Sequence, residues 1–411
     1  MNIGQEARGQ DERGGRWATL WYSGGMKILF VADGRSPTAL NWLRYFVERG
    51  DEVFLASTFA CWPDLKLGGL EIVPVAFSGA KSAPGGVPSA PGRGRGVLSP
   101  GLRTAIRHWF GPLTIPRAAG RLREMIARVQ PDLVHAMRIP YEGMLAADAF
   151  SADVPLLVSA WGNDFTLHAP STLGMRHYTE WTMKVADALH ADCQRDIRLA
   201  KKWGFQAGKP MLVTPGNGGI RSDVFFPPAS PAREALVINP RGLRDYVRND
   251  VFFQSIPLVL NARPETRFVC ASMAGEPQAL DWVARLGIEK SVDLLPPRPH
   301  ADMAELFRSA QVLVSPSEHD GTPNTLLEGM ACGCFPVAGD LDSIREWITP
   351  GRNGLLVDPG DPAALAGAVL RGLNEPALRK QAADENAAVI AERAEYTRNM
   401  ARVLEFYQRL A

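Results

Sequence analysis

No stretch of this 411-residue chain approaches the ~18 to 20 continuous apolar residues that a membrane-spanning helix needs. Charge of one sign is lacking as well: 45 Lys and Arg face 44 Asp and Glu, a net of +1. That balance argues against a nucleic-acid partner, which ordinarily calls for a strongly basic domain. Cysteine is scarce. The five present (Cys61, Cys193, Cys270, Cys332, Cys334) are odd in number and without framework spacing, so the sequence predicts reduced thiols in a cytoplasmic setting. No Cys-x-x-Cys or His pair accompanies Cys332 and Cys334, which makes them small buried hydrophobes rather than zinc ligands. A full Gly-x-Gly-x-x-Gly after the first strand is missing too, and this weakens a dinucleotide-dependent oxidoreductase.

What is present is a globular composition, 46% apolar and 22% charged, in a length that suits two or three domains. Residues 1–25 are polar, and their apolar run Trp17–Tyr22 is too short for a signal-peptide core. They are expected to form a disordered extension, and Met26 could be the true start. Apolar runs at 27–32, 52–56, 71–76, 132–136, 155–159, 187–191 and 211–214 alternate with helix-length segments. After the linker that begins Phe226-Pro-Pro, the rhythm repeats at 235–239, 267–271, 291–295, 311–315, 334–338 and 354–357. The expected fold class is α/β: two Rossmann-like doubly wound domains, 26–226 and 227–390, facing across a cleft, and a closing amphipathic helix at 391–411.

The segment 317–337 carries most of the chemistry. A β-rich run, Val312–Ser315, meets the turn-forming Gly321-Thr322-Pro323, so a helix is expected near Asn324 or Thr325. A helix start at the carboxyl edge of a parallel strand offers free N–H groups to phosphates. Glu328, read as lying in the first turn, would hold ribose hydroxyls, and Asp320 would stand near a sugar. The competing reading is structural: Thr325 and Glu328 fit a capping box. Arg241 ends the run Leu236–Asn239 and is placed to clamp an oxyanion. Arg244 and Arg248 follow it. Asp340-x-Asp342 resembles a metal motif, but Ser343 and Glu346 read as a second capping box, so no metal is expected there. In the first half, Gly34 would let backbone approach a substrate. Trp161 would stack on sugar or pack under its turn, Asp164 has the same two readings, and His135 reads as a core histidine.

Asp320 and Glu328, eight positions apart around a Gly- and Pro-containing turn and followed by Met-Ala-Cys-Gly, are similar to the donor-binding signature of the retaining GT-B glycosyltransferases of family four. Met26-Lys-Ile-Leu-Phe-Val-Ala, Pro131-Asp-Leu-Val-His-Ala, Trp161-Gly-Asn-Asp164 and Val213-Thr-Pro-Gly-Asn-Gly-Gly resemble further family segments in the right order. The chain departs at Asp320, where the family usually has Glu, at Tyr246, where it has Lys, and at Trp161, where it often has His. The resemblance implies a nucleotide diphosphate sugar as donor, a glycan or lipid-linked acceptor, retention of anomeric configuration and no metal or other cofactor. It implies these roles: Glu328 on ribose; Arg241, a second cation (Arg248, or else Arg244) and the helix start at Asn324–Thr325 on diphosphate; Asp320 with the Gly321–Pro323 backbone on sugar. It also implies that the last helix crosses back to the first domain. The rivals are a nucleotide-sugar epimerase and a non-catalytic nucleotide- or glycan-binding subunit.

One further feature stands apart from that signature. Residues 78–100, rich in Gly, Pro and Ser, read as a flexible loop. From Arg93 to Arg128, eight arginines (93, 95, 103, 107, 117, 121, 123, 128) and a single acid, Glu124, surround His108-Trp109-Phe110. Such a face either meets an anionic membrane peripherally or is a solvated basic surface with Trp109 and Phe110 in the core.

Overall fold

The computed structural model of the chain describes residues 25–78, 100–230 and 234–411. The expected disordered extension, save Gly25, and most of the 78–100 loop with Arg93 and Arg95 lie outside the described residues.

Two parallel sheets arise where the apolar runs predict them. The first contains β1 (Lys27–Ala32), β2 (Glu52–Ser57), β3 (Gly69–Ile72), β4 (Leu133–Ala136), β5 (Leu156–Ala160), β6 (Ala188–Ala191) and β7 (Met211–Val213), ordered β3-β2-β1-β4-β5-β6-β7. The second contains β8 (Leu236–Asn239), β9 (Arg267–Cys270), β10 (Val292–Leu294), β11 (Val312–Ser315), β12 (Phe335–Gly339) and β13 (Leu355–Val357), ordered β10-β9-β8-β11-β12-β13. Central strands such as β4 and β11 are buried along their whole length, because helices cover both faces of a parallel sheet. The run at 71–76 is displaced. Its strand is the edge strand Gly69–Ile72, and Val73, Val75 and Ala76 leave the sheet to fill the core beside it.

The first sheet is accompanied by α1 (Pro37–Arg49), α2 (Pro100–Phe110), α3 (Ile115–Val129), α4 (Met144–Asp148), α5 (Leu173–Val185) and α6 (Gln194–Lys202). The second has α7 (Asn249–Ala262), α8 (Pro277–Leu286), α9 (His300–Ser309), α10 (Asn324–Ala331), α11 (Pro362–Asn374) and α12 (Pro376–Arg393). The logic of α1 is local. Ser36 caps it by accepting from the Ala39 N–H, Pro37 pre-sets its first turn, and Gly50 ends it at φ 94°. Ala39, Trp42, Leu43 and Phe46, at helical spacing, form its buried face.

The last helix, α13 (Tyr396–Leu410), packs on the first domain. Met400, Val403, Phe406 and Tyr407 join Met26, Trp42 and Phe46 in one core, each burial contributing roughly 1.5–3 kcal/mol. Tyr407 Oη lies 2.5 Å from His135 Nδ1, and a buried polar chain continues through Ser159 and His190 to Thr214. His135 is thus a core histidine with both ring nitrogens engaged. The crossover needs glycine: at Gly219 (φ 125°) a Cβ would come within 2.5 Å of the Ala394 carbonyl.

In each sheet the strand order reverses next to the first strand, between β1 and β4 and again between β8 and β11. Crevices for ligands open at the carboxyl ends of strands at such points. The segments that emerge there are Asp33–Ser36, Met137–Arg138, Pro240–Arg241 and Ser317–Thr322.

Candidate functional site

The last three of those segments contribute Arg138, Pro240, Arg241, Asp320 and Thr322 to a cavity of about 830 Å³ between the two domains, a size suited to a small organic ligand. Arg138, Trp161 and Asp192 come from the first domain, and Arg241, Arg244, Tyr246, Asp320 and Asn324 from the second. Four buried side-chain atoms on these walls have no hydrogen-bond partner among the described residues: Trp161 Nε1, Asp192 Oδ1, Asn324 Oδ1 and Thr325 Oγ1. Buried polar atoms left unpaired cost free energy, so a cluster of them marks a place where a polar ligand belongs.

Helix α10 begins at Asn324, as the turn residues predict. Pro323 at its N-cap supplies no side-chain cap; the Leu326 and Leu327 N–H groups donate to the Pro323 carbonyl, and those of Asn324 and Thr325 remain for an anion. The capping box does not form. Thr325 Oγ1 is unpartnered, and Glu328 lies in the second turn rather than the first, making no cap bond. Glu328 is instead buried, outside the residues that line the cavity, and burial pushes its carboxyl up to about 7.

Asp320 and Arg241 meet directly. Arg241 Nη1 lies 2.6 Å from Asp320 Oδ2, with both side chains about nine-tenths buried. The expected division, arginine to phosphate and aspartate to sugar, is therefore joined by an ion pair between the two. Tyr246, which stands where the family has Lys, lies beside the Arg241 guanidinium, 5.9 Å from ring centroid to Cζ. Arg248 is not brought to the cavity. It pairs with Asp250 at 2.9 Å and Glu318 at 3.6 Å, whereas Arg244 lines the cavity wall. Gly321 and Thr322 are contacts between domains. A Cβ at Gly321 would strike Asp192 Oδ1 at 2.3 Å, and the Thr322 hydroxyl donates to the Asp192 carbonyl at 2.5 Å.

In the first domain, Gly34 does not line the interdomain cavity. Its backbone N–H donates to Ser57 Oγ at 3.0 Å, and a Cβ there would collide with Cys61 Sγ. Asp164 is fully buried, holding Arg138 at 2.8 Å and accepting from the Ile139 and Trp161 N–H groups. Its task is to aim Arg138. Trp161 lines the cavity with an unpaired indole N–H.

Sequence reasoning passes over Arg138, Asp192 and Arg195, and it reads Glu346 only as part of a local capping box. Arg138 was accessible to it, since it follows a strand end just as Arg241 does. Arg195 spans the domains: its guanidinium donates to the carbonyls of Gly162 and Asp320, to Ser343 Oγ and to Asp196. Glu346 accepts from the Gln194 and Arg195 N–H groups, both at 2.8 Å, and so caps α6 from the other domain. Ser343 and Glu346 thus form no capping box of their own, because both bond across the cleft or to the Asp320 loop. Asp340 pairs with Arg345. Among the described residues, Asp192, Cys193 and Asp196 bring three ligand-type atoms within 4.8 Å of one another. The Arg195 guanidinium already occupies Asp196 at 2.7 Å. Burial, and then the neighbouring Asp196, raise the Asp192 carboxyl well above the usual range. No helix among the described residues is long and apolar enough to cross a membrane.

Comparison with known proteins agrees with this two-domain layout. Residues 33–216 match a family model described as glycosyl transferase 4-like domain, and residues 242–375 match one described as glycosyl transferases group 1. A D-inositol 3-phosphate glycosyltransferase of Thermobispora bispora is 28% identical over 247 residues, 56% of this chain and 57% of the relative. One from Thermomonospora curvata is 30% identical over 227 residues, 48% and 51% of the two chains. The chain therefore spans about half the length of the curated relatives it matches. In fold it is similar to sucrose-phosphate synthase from Thermosynechococcus elongatus (TM-score 0.71, 15% identity, 93% of this chain and 99% of that one). It is also similar to Anabaena HepE solved in complex with UDP-glucose (TM-score 0.68, 15% identity, 92% and 98%). With the two models matching the two sides of the cleft and most of the chain between them, this protein belongs to the group 1 glycosyltransferases of GT-B architecture.

Proposed function

We propose that the chain transfers a sugar from a nucleotide diphosphate sugar, held in the cavity between its domains, to a glycan or lipid-linked acceptor, with retention and without a metal. The observation that carries this reading is the set of unpaired polar atoms, Trp161 Nε1, Asp192 Oδ1, Asn324 Oδ1 and Thr325 Oγ1, contributed by both domains to one cavity. A polyhydroxylated, phosphorylated ligand supplies the donors and acceptors they lack. Arg241, Arg244 and the α10 N-terminus would stabilise the leaving diphosphate, a role in which one preorganised donor is typically worth about 3–4 kcal/mol. Asp320 would turn from Arg241 toward the sugar, and Glu328, buried behind the cavity wall, would reach ribose hydroxyls only by ionising and reorienting as the donor binds. The departing diphosphate oxygen takes the acceptor's proton, so no side-chain base is assigned. The family relatives are named for glycosyl transfer, which supports the reaction class; the compound in their name is not carried over to this chain.

Slow hydrolysis of a nucleotide sugar by the purified protein tests the reading, and UDP-glucose is the first probe because a protein of this fold was solved with it. Activity unaffected by EDTA, lost in Arg241→Ala and yielding sugar of unchanged anomeric configuration is expected. Its absence with every donor would leave the non-catalytic binder, which the Arg241–Asp320 pair favours because the clamp is already neutralised.

The same proposal includes peripheral contact with an anionic membrane. Trp109 and Phe110 are 63% and 54% exposed rather than in the core, Leu113 and Leu173 are exposed as well, and Arg117 and Arg121 are exposed on α3. Vesicle sedimentation at low salt checks this: enrichment on anionic over neutral vesicles is expected, and equal partition contradicts it.

A further inference from the structure

We infer that a second cavity, in the first domain, receives an anionic group, phosphate or carboxylate, of the acceptor, and that Arg107 is the residue that selects it. The word acceptor rests on the proposed glycosyl transfer; the anion site does not.

This cavity, about 350 Å³, shares Arg138, Trp161 and His168 with the interdomain cavity, so a molecule seated in it extends toward the donor. Three arginines line it, Arg35, Arg107 and Arg138. The acids around them are already engaged. Asp33 binds Arg35 through two bonds of 2.9 Å, and Asp164 holds Arg138 at 2.8 Å. Glu142 accepts from Thr58 Oγ1 at 2.7 Å, and burial raises its carboxyl above the usual range, so the lining holds three arginines against two acids. Arg107 has no ion-pair partner among the described residues. Its Nε is buried without a hydrogen-bond partner, and so is the Nε of Arg138.

The rings around Arg107 explain how an unpaired guanidinium is tolerated and aimed. Its Cζ lies 4.9 Å from the Tyr141 ring centroid and 5.5 Å from that of Phe59. Faces of aromatic rings attract a cation without consuming its N–H donors. His108 and His168, 3.1 Å apart, complete the wall, and burial keeps both below their ordinary pKa, so neither offers a negative charge nor adds a positive one at neutral pH. The result is a concave site with surplus positive charge and donors that face no acceptor, which a planar fork satisfies by bidentate contact with an oxyanion. A neutral sugar hydroxyl would leave that charge unbalanced.

The test titrates inorganic phosphate and glycerol 3-phosphate, with glycerol and ionic-strength-matched KCl as controls, into the full chain held in saturating UDP so that Arg241 is covered. Both phosphates are expected to raise the Tm while glycerol does not. Arg107→Gln is expected to weaken the phosphate response about tenfold or more, the loss of one charged hydrogen bond, with UDP affinity unchanged. No phosphate response in the parent protein overturns the inference, and so does an undiminished response in Arg107→Gln. Should that variant fail to fold, Arg107→Lys keeps the charge and loses the fork, and an undiminished response there overturns bidentate selection. If neither UDP, GDP nor ADP binds but the phosphate response is present and falls in Arg107→Gln, the glycosyl-transfer reading fails and the anion site stands.

Discussion

Glu328 and the Arg241–Asp320 pair show how burial governs single residues here. The folded-state pKa of Glu328, about 7, lies above the ordinary 4.5. Between those values the folded chain holds a proton that the unfolded chain has lost, so stability falls as pH rises from about 4.5 to about 7 and stays lower above it. Glu328→Gln removes that slope, and chemical denaturation at pH 8 is expected to find the variant more stable by ~1–3 kcal/mol. A variant less stable than the parent at pH 8 would contradict burial as the cause. Binding of ribose to the carboxylate predicts a second signature: donor affinity rises between pH 6 and 8 in the parent and is flat in the variant. For the ion pair, Arg241→Ala strands a buried carboxylate and should cost ~3 kcal/mol, whereas adding Asp320→Ala recovers most of that loss. A double variant as unstable as the single one would show that the pair matters through packing alone. Of these residues, Arg241 and Asp320 were legible from their places after a strand and before a helix start. Their mutual pairing was not, because it joins positions 79 residues apart in sequence.

Among the elements, strands and the start of α10 followed from apolar runs and from Gly321-Thr322-Pro323, since period and turn chemistry are local properties. Edge strand β3 slipped relative to its apolar run because the chain leaves the ladder after the Val73 N–H bonds the Ser57 carbonyl, and the Val73 and Val75 side chains fill the core. The capping boxes at Thr325 and Ser343 failed for a related reason: local motifs compete with tertiary partners, and Glu346 found the N-terminus of α6 in the opposite domain. Helix α13 was legible as amphipathic, while its anchor to His135 was visible only in three dimensions. Tyr407→Phe keeps the stacking on Phe46 and removes the hydroxyl, so urea denaturation should show a loss of about 1 kcal/mol; no loss would mean that the buried polar chain contributes only through packing.

At the scale of the whole molecule, two parallel-sheet domains are held together by α13 and by a latch in which Arg195, Thr322 and Glu346 bond across the cleft. Glu346→Ala removes two charge-assisted bonds to α6, and small-angle scattering should report a larger radius of gyration than the parent, an unchanged value contradicting the latch. The domains meet around the cavity whose unpaired atoms belong to both, and the central claim is that a nucleoside diphosphate group fills it. Calorimetric titration of UDP, GDP and ADP into the parent protein and into Arg241→Ala, checked for folding by circular dichroism, tests this most directly. The account predicts that at least one diphosphate binds the parent and that the variant loses about tenfold or more in affinity. Binding of none of the three, or equal binding by parent and variant, would contradict it.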